Sequence, residues 1–555
     1  MKLLETDHLH LSTQLISSLM QEIPHIQIFR GKWSIIRNKL ENLPTQLKDL
    51  SDFPNFYSNP LSLDLVQSVS QTLTDTLALA NKCRISALTD GKLRTQSDLD
   101  SVAAKLDQHT RDCELLIRSG VLQDTNAGPG CATTTTSKRE VVRVEARNLI
   151  TRLQIGNAEA KNAAMDSLLG LLQEDDKNVL IAVAQGAVPV LVRLLDSSSL
   201  EIKEKSVAAI SRISVVDSSK HVLIAEGVLL LNHLIRVLES GSGFAKEKAC
   251  ITLQALSFSK ENARAIGSRG GISSLLEICQ AGTPGSQAFA AGVLRNLATF
   301  AEIRQNFIEE TAVPVLIALS TSGTAIAQEN SIGCLCNLAS EDDNLKLLVA
   351  REGGIGCLKN FWDSAQTARS LEVAVGLLRN LASCRPIADV LVSNWFISRL
   401  VGVLSCGVSV VRTTAARAVF VLGYNTKARK DMGESGCIPP LVRMLDAKAV
   451  EEREAAAMAL SSLLLHTGNR RVFRKDERGI TSTVQLLDPL IQNLDKKYPI
   501  SVLASIVQSR KCRKQMVAVG ACGYLQKLVE MEIDGAVKLL ESLSRGKLWG
   551  VFART

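Results

Sequence analysis

An all-α fold is predicted, a helical repeat solenoid preceded by a separate helical bundle, and three observations predict it. A short glycine-centred block returns every 41 to 43 residues over most of the 555-residue chain. Hydrophobic residues make up 46% but aromatics only 4%, so Leu, Ala and Val carry the apolar mass. That balance suits helices packed on helices better than a β-sandwich, which favours β-branched and aromatic side chains. Thirteen prolines in this length leave room for many uninterrupted helices. The chain is also too long for one compact core, which demands several domains or a repeat array.

Residues 1–120 stand outside the period. Leu11, Leu15, Ile16 and Leu19 recur at helical spacing, as do Ile36, Leu40, Leu43 and Leu47. Leu61 to Leu79 and Leu99 to Leu116 add two more helices, which predicts a four-helix bundle. A segment over 121–138, containing Gly128-Pro129-Gly130 and four threonines, has the composition of a flexible linker.

The repeats occupy 139–555. Arg139 to Leu172 lacks the glycine landmark and reads as a degenerate repeat capping the stack. The landmarks follow at Gly186, Gly227, Gly270, Thr311, Gly353, Gly436, Gly479 and Gly520, with Asn394-Trp395 filling the expected place without a glycine. Glycine suits a left-handed residue that ends a short first helix. A proline soon after, as at Pro189, Pro314 and Pro439, sits in the first turn of the next helix, where its missing N–H costs nothing. An apolar second helix such as Val190 to Leu195, a polar break, and a long amphipathic third helix such as Glu204 to Ile213 complete each repeat. The last amphipathic helix runs from Gly535 to Leu548. Nine repeats and the degenerate cap result.

Gly436-Cys437-Ile438-Pro439-Pro440-Leu441-Val442-Arg443-Met444-Leu445 resembles the second-helix consensus of armadillo repeats. The third-helix ends Leu294-Arg295-Asn296-Leu297-Ala298, Leu335-Cys336-Asn337-Leu338-Ala339 and Leu378-Arg379-Asn380-Leu381-Ala382 resemble the same family. The resemblance implies a right-handed armadillo-type α-solenoid. A helical domain before such an array is similar to the layout of plant U-box and armadillo proteins. Neither Cys-Pro-Ile nor Asp-Pro-Val of a U-box occurs here, so the chain resembles the branch without a U-box, and ligase activity is not carried over.

No catalytic residue, metal site or cofactor is expected. Seven histidines are scattered, and Cys334 and Cys336, two apart on one helix, point in different directions. Walker, GxSxG, HExxH and kinase motifs are missing. Gly353-Gly354-Ile355-Gly356 falls in the landmark slot and reads as a helix break rather than a phosphate cradle. Thirteen dispersed cysteines, a charged N-terminus and the lack of a long apolar run predict a reduced cytoplasmic or nuclear protein with no membrane span.

The expected working surface is a groove of third helices. In importin-α and β-catenin an Asn near the end of that helix faces the groove, and its amide can hold an extended peptide backbone. The resemblance places Asn296, Asn337 and Asn380 there, with helix-end capping as the other reading of the same residues. Importin-α carries Trp four residues earlier. Gly292, Gly333 and Gly376 stand in those places, so the slots for Lys and Arg stems are missing and nuclear-signal binding is disfavoured. Arg212, Arg295 and Arg379 point to an acidic ligand by analogy.

A second surface is a basic edge of Arg470, Arg471, Arg474 and Lys475 with Arg510, Lys511, Arg513 and Lys514, placed side by side by the period. It reads either as an ordinary solvated face or as a site for phosphates of lipid or nucleic acid, the latter disfavoured by the lack of interleaved aromatics. The expected function is a non-catalytic scaffold or adaptor whose partners are other proteins. The alternatives are a substrate-recruiting subunit of a ubiquitin-ligation complex and a peripheral membrane adaptor.

Overall fold

The computed structural model describes residues 7–84, 91–123, 138–393 and 396–551, which are helical throughout apart from turns and connections. The expected linker falls almost wholly outside the described residues, and so does the Asn394-Trp395 landmark. The chain divides into two compact units, Met1–Leu256 and Ser257–Thr555.

The first unit opens with α1 (His8–Glu22), α2 (Arg30–Ser51), α3 (Pro60–Arg84) and α4 (Lys92–Ser119). α1 packs on α3 and α2 on α4, around a core that includes Leu19, Trp33, Ile36, Leu40, Leu73 and Leu106. α5 (Lys138–Ile155) and α6 (Ala158–Glu174) follow as a two-helix pair without the landmark glycine. Then come two triplets, α7 (Asp176–Ala184), α8 (Ala187–Leu194), α9 (Leu200–Ser214), and α10 (Lys220–Ala225), α11 (Gly227–Ser240), α12 (Gly243–Leu256). α4 packs against α5, and Ile155 at the end of α5 reaches the core of the first four helices. Asp112 of α4 and Lys161 of α6 lie within electrostatic reach of each other. Burial raises the Asp112 carboxyl and lowers the Lys161 ammonium, and each opposes that shift in the other.

His109 is buried in this bundle, with Nε2 2.9 Å from Thr72 Oγ1. The threonine hydroxyl donates to the Ser68 carbonyl at 3.0 Å, so the ring donates through Nε2–H and is left with an unprotonated Nδ1 that has no partner among the described residues. A proton added there would be buried without an acceptor. Burial, helped by Lys105, accordingly lowers the imidazole to about 4. In the unfolded chain the same ring takes a proton near pH 6.5. Stability contributed by the neutral ring is therefore full above that value, falls as pH drops from 6.5 to about 4, and is lost below it, a change of about 3 kcal/mol. Urea titrations of wild type and His109→Gln over this window are expected to diverge, with the variant losing less stability on acidification.

The second unit holds seven further triplets among its described residues. They are α13 (Lys260–Gly267), α14 (Gly271–Ala281), α15 (Pro284–Leu297); α16 (Arg304–Glu309), α17 (Ala312–Ser322), α18 (Ala325–Leu338); and α19 (Asp343–Arg351), α20 (Gly354–Ser364), α21 (Ala368–Ala382). Next are α22 (Arg385–Ser393), α23 (Phe396–Leu404), α24 (Ser409–Leu422); and α25 (Thr426–Glu434), α26 (Ile438–Met444), α27 (Val450–Leu463). The last are α28 (Thr467–Phe473), α29 (Glu477–Gln485), α30 (Lys497–Ile506); and α31 (Arg510–Ala518), α32 (Ala521–Glu530), α33 (Ala536–Val551).

Local chemistry sets each break. Gly353 and Gly436 take φ of +98° and +92°, the left-handed turn that separates first from second helix. Thr311 takes the same turn at φ +50°, a strained state for a β-branched residue. Three successive polar breaks end in a hydroxyl that caps the third helix: Thr283, Thr324 and Thr367 accept from the backbone N–H of Ser286, Ala327 and Ser370. Gly479 departs from the expected pattern. It lies inside α29 rather than in the turn, and a Cβ there would come within 3.0 Å of the buried Phe473 ring. Close packing, not backbone freedom, requires it.

Candidate partner-binding faces

In the second unit, α15, α18, α21, α24, α27 and α30 pack each on the next, so the third helices form a continuous wall. This wall carries most of the groove residues expected from sequence. Arg212 alone lies in the first unit, on α9, where its guanidinium is 2.6 Å from the Asp176 carboxylate.

The three asparagines point along the stack. Asn337 Nδ2 donates to the Arg295 carbonyl at 2.8 Å, and Asn380 Nδ2 to the Cys336 carbonyl at 2.8 Å. Asn296 Nδ2 donates to Ser257 Oγ at 2.9 Å. Each amide thus ties its helix to the end of the repeat before it, and Ser462 makes a comparable bond to the Gly423 carbonyl at 2.8 Å. A carbonyl near a helix end has no intrahelical donor, so the Asn337 and Asn380 bonds satisfy the Arg295 and Cys336 carbonyls. Asn380 is itself buried, its Oδ1 accepting from Arg379. Asn296 and Asn337 are half-buried.

Gly333 is explained by what lies on it. The Arg295 side chain crosses α18 there, so that a Cβ on Gly333 would sit 2.6 Å from Arg295 Nε. The space that a tryptophan fills in importin-α is taken by an arginine from the neighbouring repeat, which the sequence did not indicate. Cys336 Sγ similarly lies over Gly376, 3.2 Å from where a Cβ would be. Arg295 and Arg379 both act on the Cys336 thiol, but burial outweighs them and pushes it up to about 11. It is therefore a thiol, not a thiolate, at neutral pH. The two arginines have amide partners, Asn330 Oδ1 at 3.4 Å and Asn380 Oδ1 at 3.1 Å, and no carboxylate partner among the described residues. Two half-buried guanidinium groups with no carboxylate partner among the described residues lie one repeat either side of Cys336, so this part of the wall is electropositive.

The basic edge divides into structural and exposed members. Arg470 turns back to cap the preceding helix, donating to the carbonyls of Leu464 at 2.7 Å and Leu465 at 3.1 Å. Arg513 does the same to Val507 at 3.4 Å, and Arg429, which lies outside the two clusters evident in the sequence, to Gly423 at 2.7 Å. Arg474 is exposed, with Nε on the Arg470 carbonyl at 3.0 Å. Arg471, Lys475, Arg510, Lys511 and Lys514 are also exposed.

Among the described residues, no group of three His, Cys, Asp or Glu side chains could hold a metal ion. The described cysteines are free thiols. No single described helix is long and apolar enough to cross a membrane.

Comparison with known proteins agrees with this architecture. The profile of a family described as armadillo/beta-catenin-like repeat matches residues 164–215. That of a domain of unknown function, DUF7032, matches residues 10–121, which span the first four helices. A search of the curated proteins found no match. Among solved structures, the crystal structure of an engineered protein is similar over 72% of this chain and 98% of its own, at 23% identity and a TM-score of 0.63. A designed armadillo repeat protein is similar over 42% of this chain and 98% of its own, at 20% identity and a TM-score of 0.39. At these identities the likeness to the engineered protein is one of fold.

Proposed function

We propose that this chain, an armadillo-repeat protein, is a protein-interaction scaffold whose third-helix wall in residues 257–551 receives an acidic extended or helical segment of a partner protein. The observation that carries the reading is the pair Arg295 and Arg379, held half-buried without a carboxylate partner among the described residues. A guanidinium in that state is costly unless an anion completes it, and a carboxylate from a partner would gain a charge-assisted hydrogen bond from each. The asparagine amides are already committed to neighbouring repeats. They brace the wall, and the arginines face the partner.

The test is proximity labelling with the full chain, wild type beside Arg295→Glu/Arg379→Glu. A defined set of partners is expected to be lost from the variant while its thermal melt stays within a few degrees of wild type. Identical partner sets would mean that this part of the wall is not the working surface.

A further inference from the structure

The chain's excess positive charge has one address. Its formal net charge is +8. Helix α25, the stretch 467–478 that contains α28, and helix α31 hold twelve Lys and Arg against four Asp and Glu, so they account for all of it, and the remaining residues balance to zero. This concentration exceeds the two clusters legible one at a time, because the third, Thr426-Lys427-Ala428-Arg429-Lys430, precedes them by one further period.

Tertiary structure brings α25 and α28 into contact and seats α31 in the repeat that follows. α28 rests against α25 and α26, and α31 rests against α29. The three short helices therefore hold the same place in three successive repeats. Asn469 fixes the first contact by donating to the Arg429 carbonyl at 2.8 Å. Arg429, Arg470 and Arg513 are committed to the preceding helix ends, leaving the other basic groups outward. Those outward groups follow i, i+3, i+4 spacing: Lys427 and Lys430; Arg471, Arg474 and Lys475; Arg510, Lys511 and Lys514. Each helix thus turns one basic face to solvent. Lys430 lies 3.8 Å from Glu434 on its own helix. Lys427, Arg471, Arg474, Lys475, Arg510 and Lys514 have no carboxylate partner among the described residues.

Two further features select the ligand. Leu465 and Val472 stand among these cations with 51% and 38% of their surface exposed. The only aromatic on the three helices, Phe473, is fully buried, so no base-stacking platform exists there. Cations interspersed with exposed aliphatic side chains suit the surface of an anionic bilayer, whose headgroup phosphates and carboxylates take the charge while the aliphatics enter the interface.

We propose that the first-helix face of residues 426–514 is a docking surface for membranes rich in anionic lipid, independent of the third-helix wall. The full chain is expected to float with phosphatidylcholine vesicles that contain phosphatidylserine, and not with phosphatidylcholine alone. Raised salt should release it. Each basic group near an anionic leaflet contributes roughly fivefold to partitioning, so Arg471→Gln/Lys475→Gln/Arg510→Gln/Lys514→Gln should weaken flotation by roughly 100-fold or more. Arg295→Gln/Arg379→Gln should float like wild type, which separates this surface from the wall. All four substituted side chains are exposed, so the fold should hold. If the quadruple variant nevertheless fails to fold, Arg510→Gln/Lys514→Gln alone should still give at least a tenfold loss (roughly two such steps). Equal flotation of wild type and variants, no flotation of either, or binding to a DNA duplex in place of phosphatidylserine vesicles would each overturn the proposal.

Discussion

Replacing Arg412 by alanine is expected to cost about 3–5 kcal/mol, the largest loss of any single polar substitution in the second unit. Glu452 of α27 has a side chain only 3% exposed. Arg412 of α24 grips it with Nε at 2.6 Å and Nη2 at 3.0 Å, and Ser409 Oγ donates to it as well. The third guanidinium nitrogen, Nη1, donates to the Cys406 carbonyl at 2.6 Å. Removing the arginine strands a buried carboxylate and bares a carbonyl together. Arg412→Lys should recover only part of the loss, because one ammonium cannot reproduce the planar fork. Arg412→Met/Glu452→Leu should recover most of it, because neither charge is then left alone. Urea unfolding followed by circular dichroism measures all three. A loss below about 1 kcal/mol for Arg412→Ala would mean that the pair is hydrated in solution.

The triple variant Asn296→Ala/Asn337→Ala/Asn380→Ala is expected to lose about 3 kcal/mol, roughly 1 kcal/mol for each bond between repeats. In a stack of repeats such losses fall on the nearest-neighbour interfaces, so hydrogen exchange should quicken first across α15, α18 and α21. This changes what the variant can report. A partner that no longer binds it has lost a braced wall, not three direct contacts. Arg295→Glu/Arg379→Glu alters charge and leaves the asparagine donors in place, although it removes the Arg379 bond to Asn380 Oδ1, and is the cleaner probe of binding. Unchanged exchange rates in the triple variant would show the amide bonds to be dispensable and return the asparagines to the partner.

Features that depend on near neighbours along the chain are legible in the sequence alone. The glycine that ends many first helices, the proline that opens some second helices and the hydroxyl that caps some third helices act over a few residues, so composition and spacing reveal them. The period follows from these, and the repeat architecture from the period. Gly479 shows where that logic stops: it keeps the period yet serves Phe473, and a sequence cannot distinguish a glycine needed for φ from one needed for room.

The site was legible only in outline. The chain's own sequence determined that helices would come in threes, that third helices would stack, and that a run of asparagines and arginines would recur at their ends. Only the tertiary structure decided what those side chains do, because most of their partners lie about one period away. Arg412 meets Glu452 across 40 positions and Asn337 meets Arg295 across 42. The same holds for the cations. Which of them cap a helix, as Arg470 and Arg513 do, and which stand free of that duty depends on the direction of a flexible side chain, and that direction is set by packing.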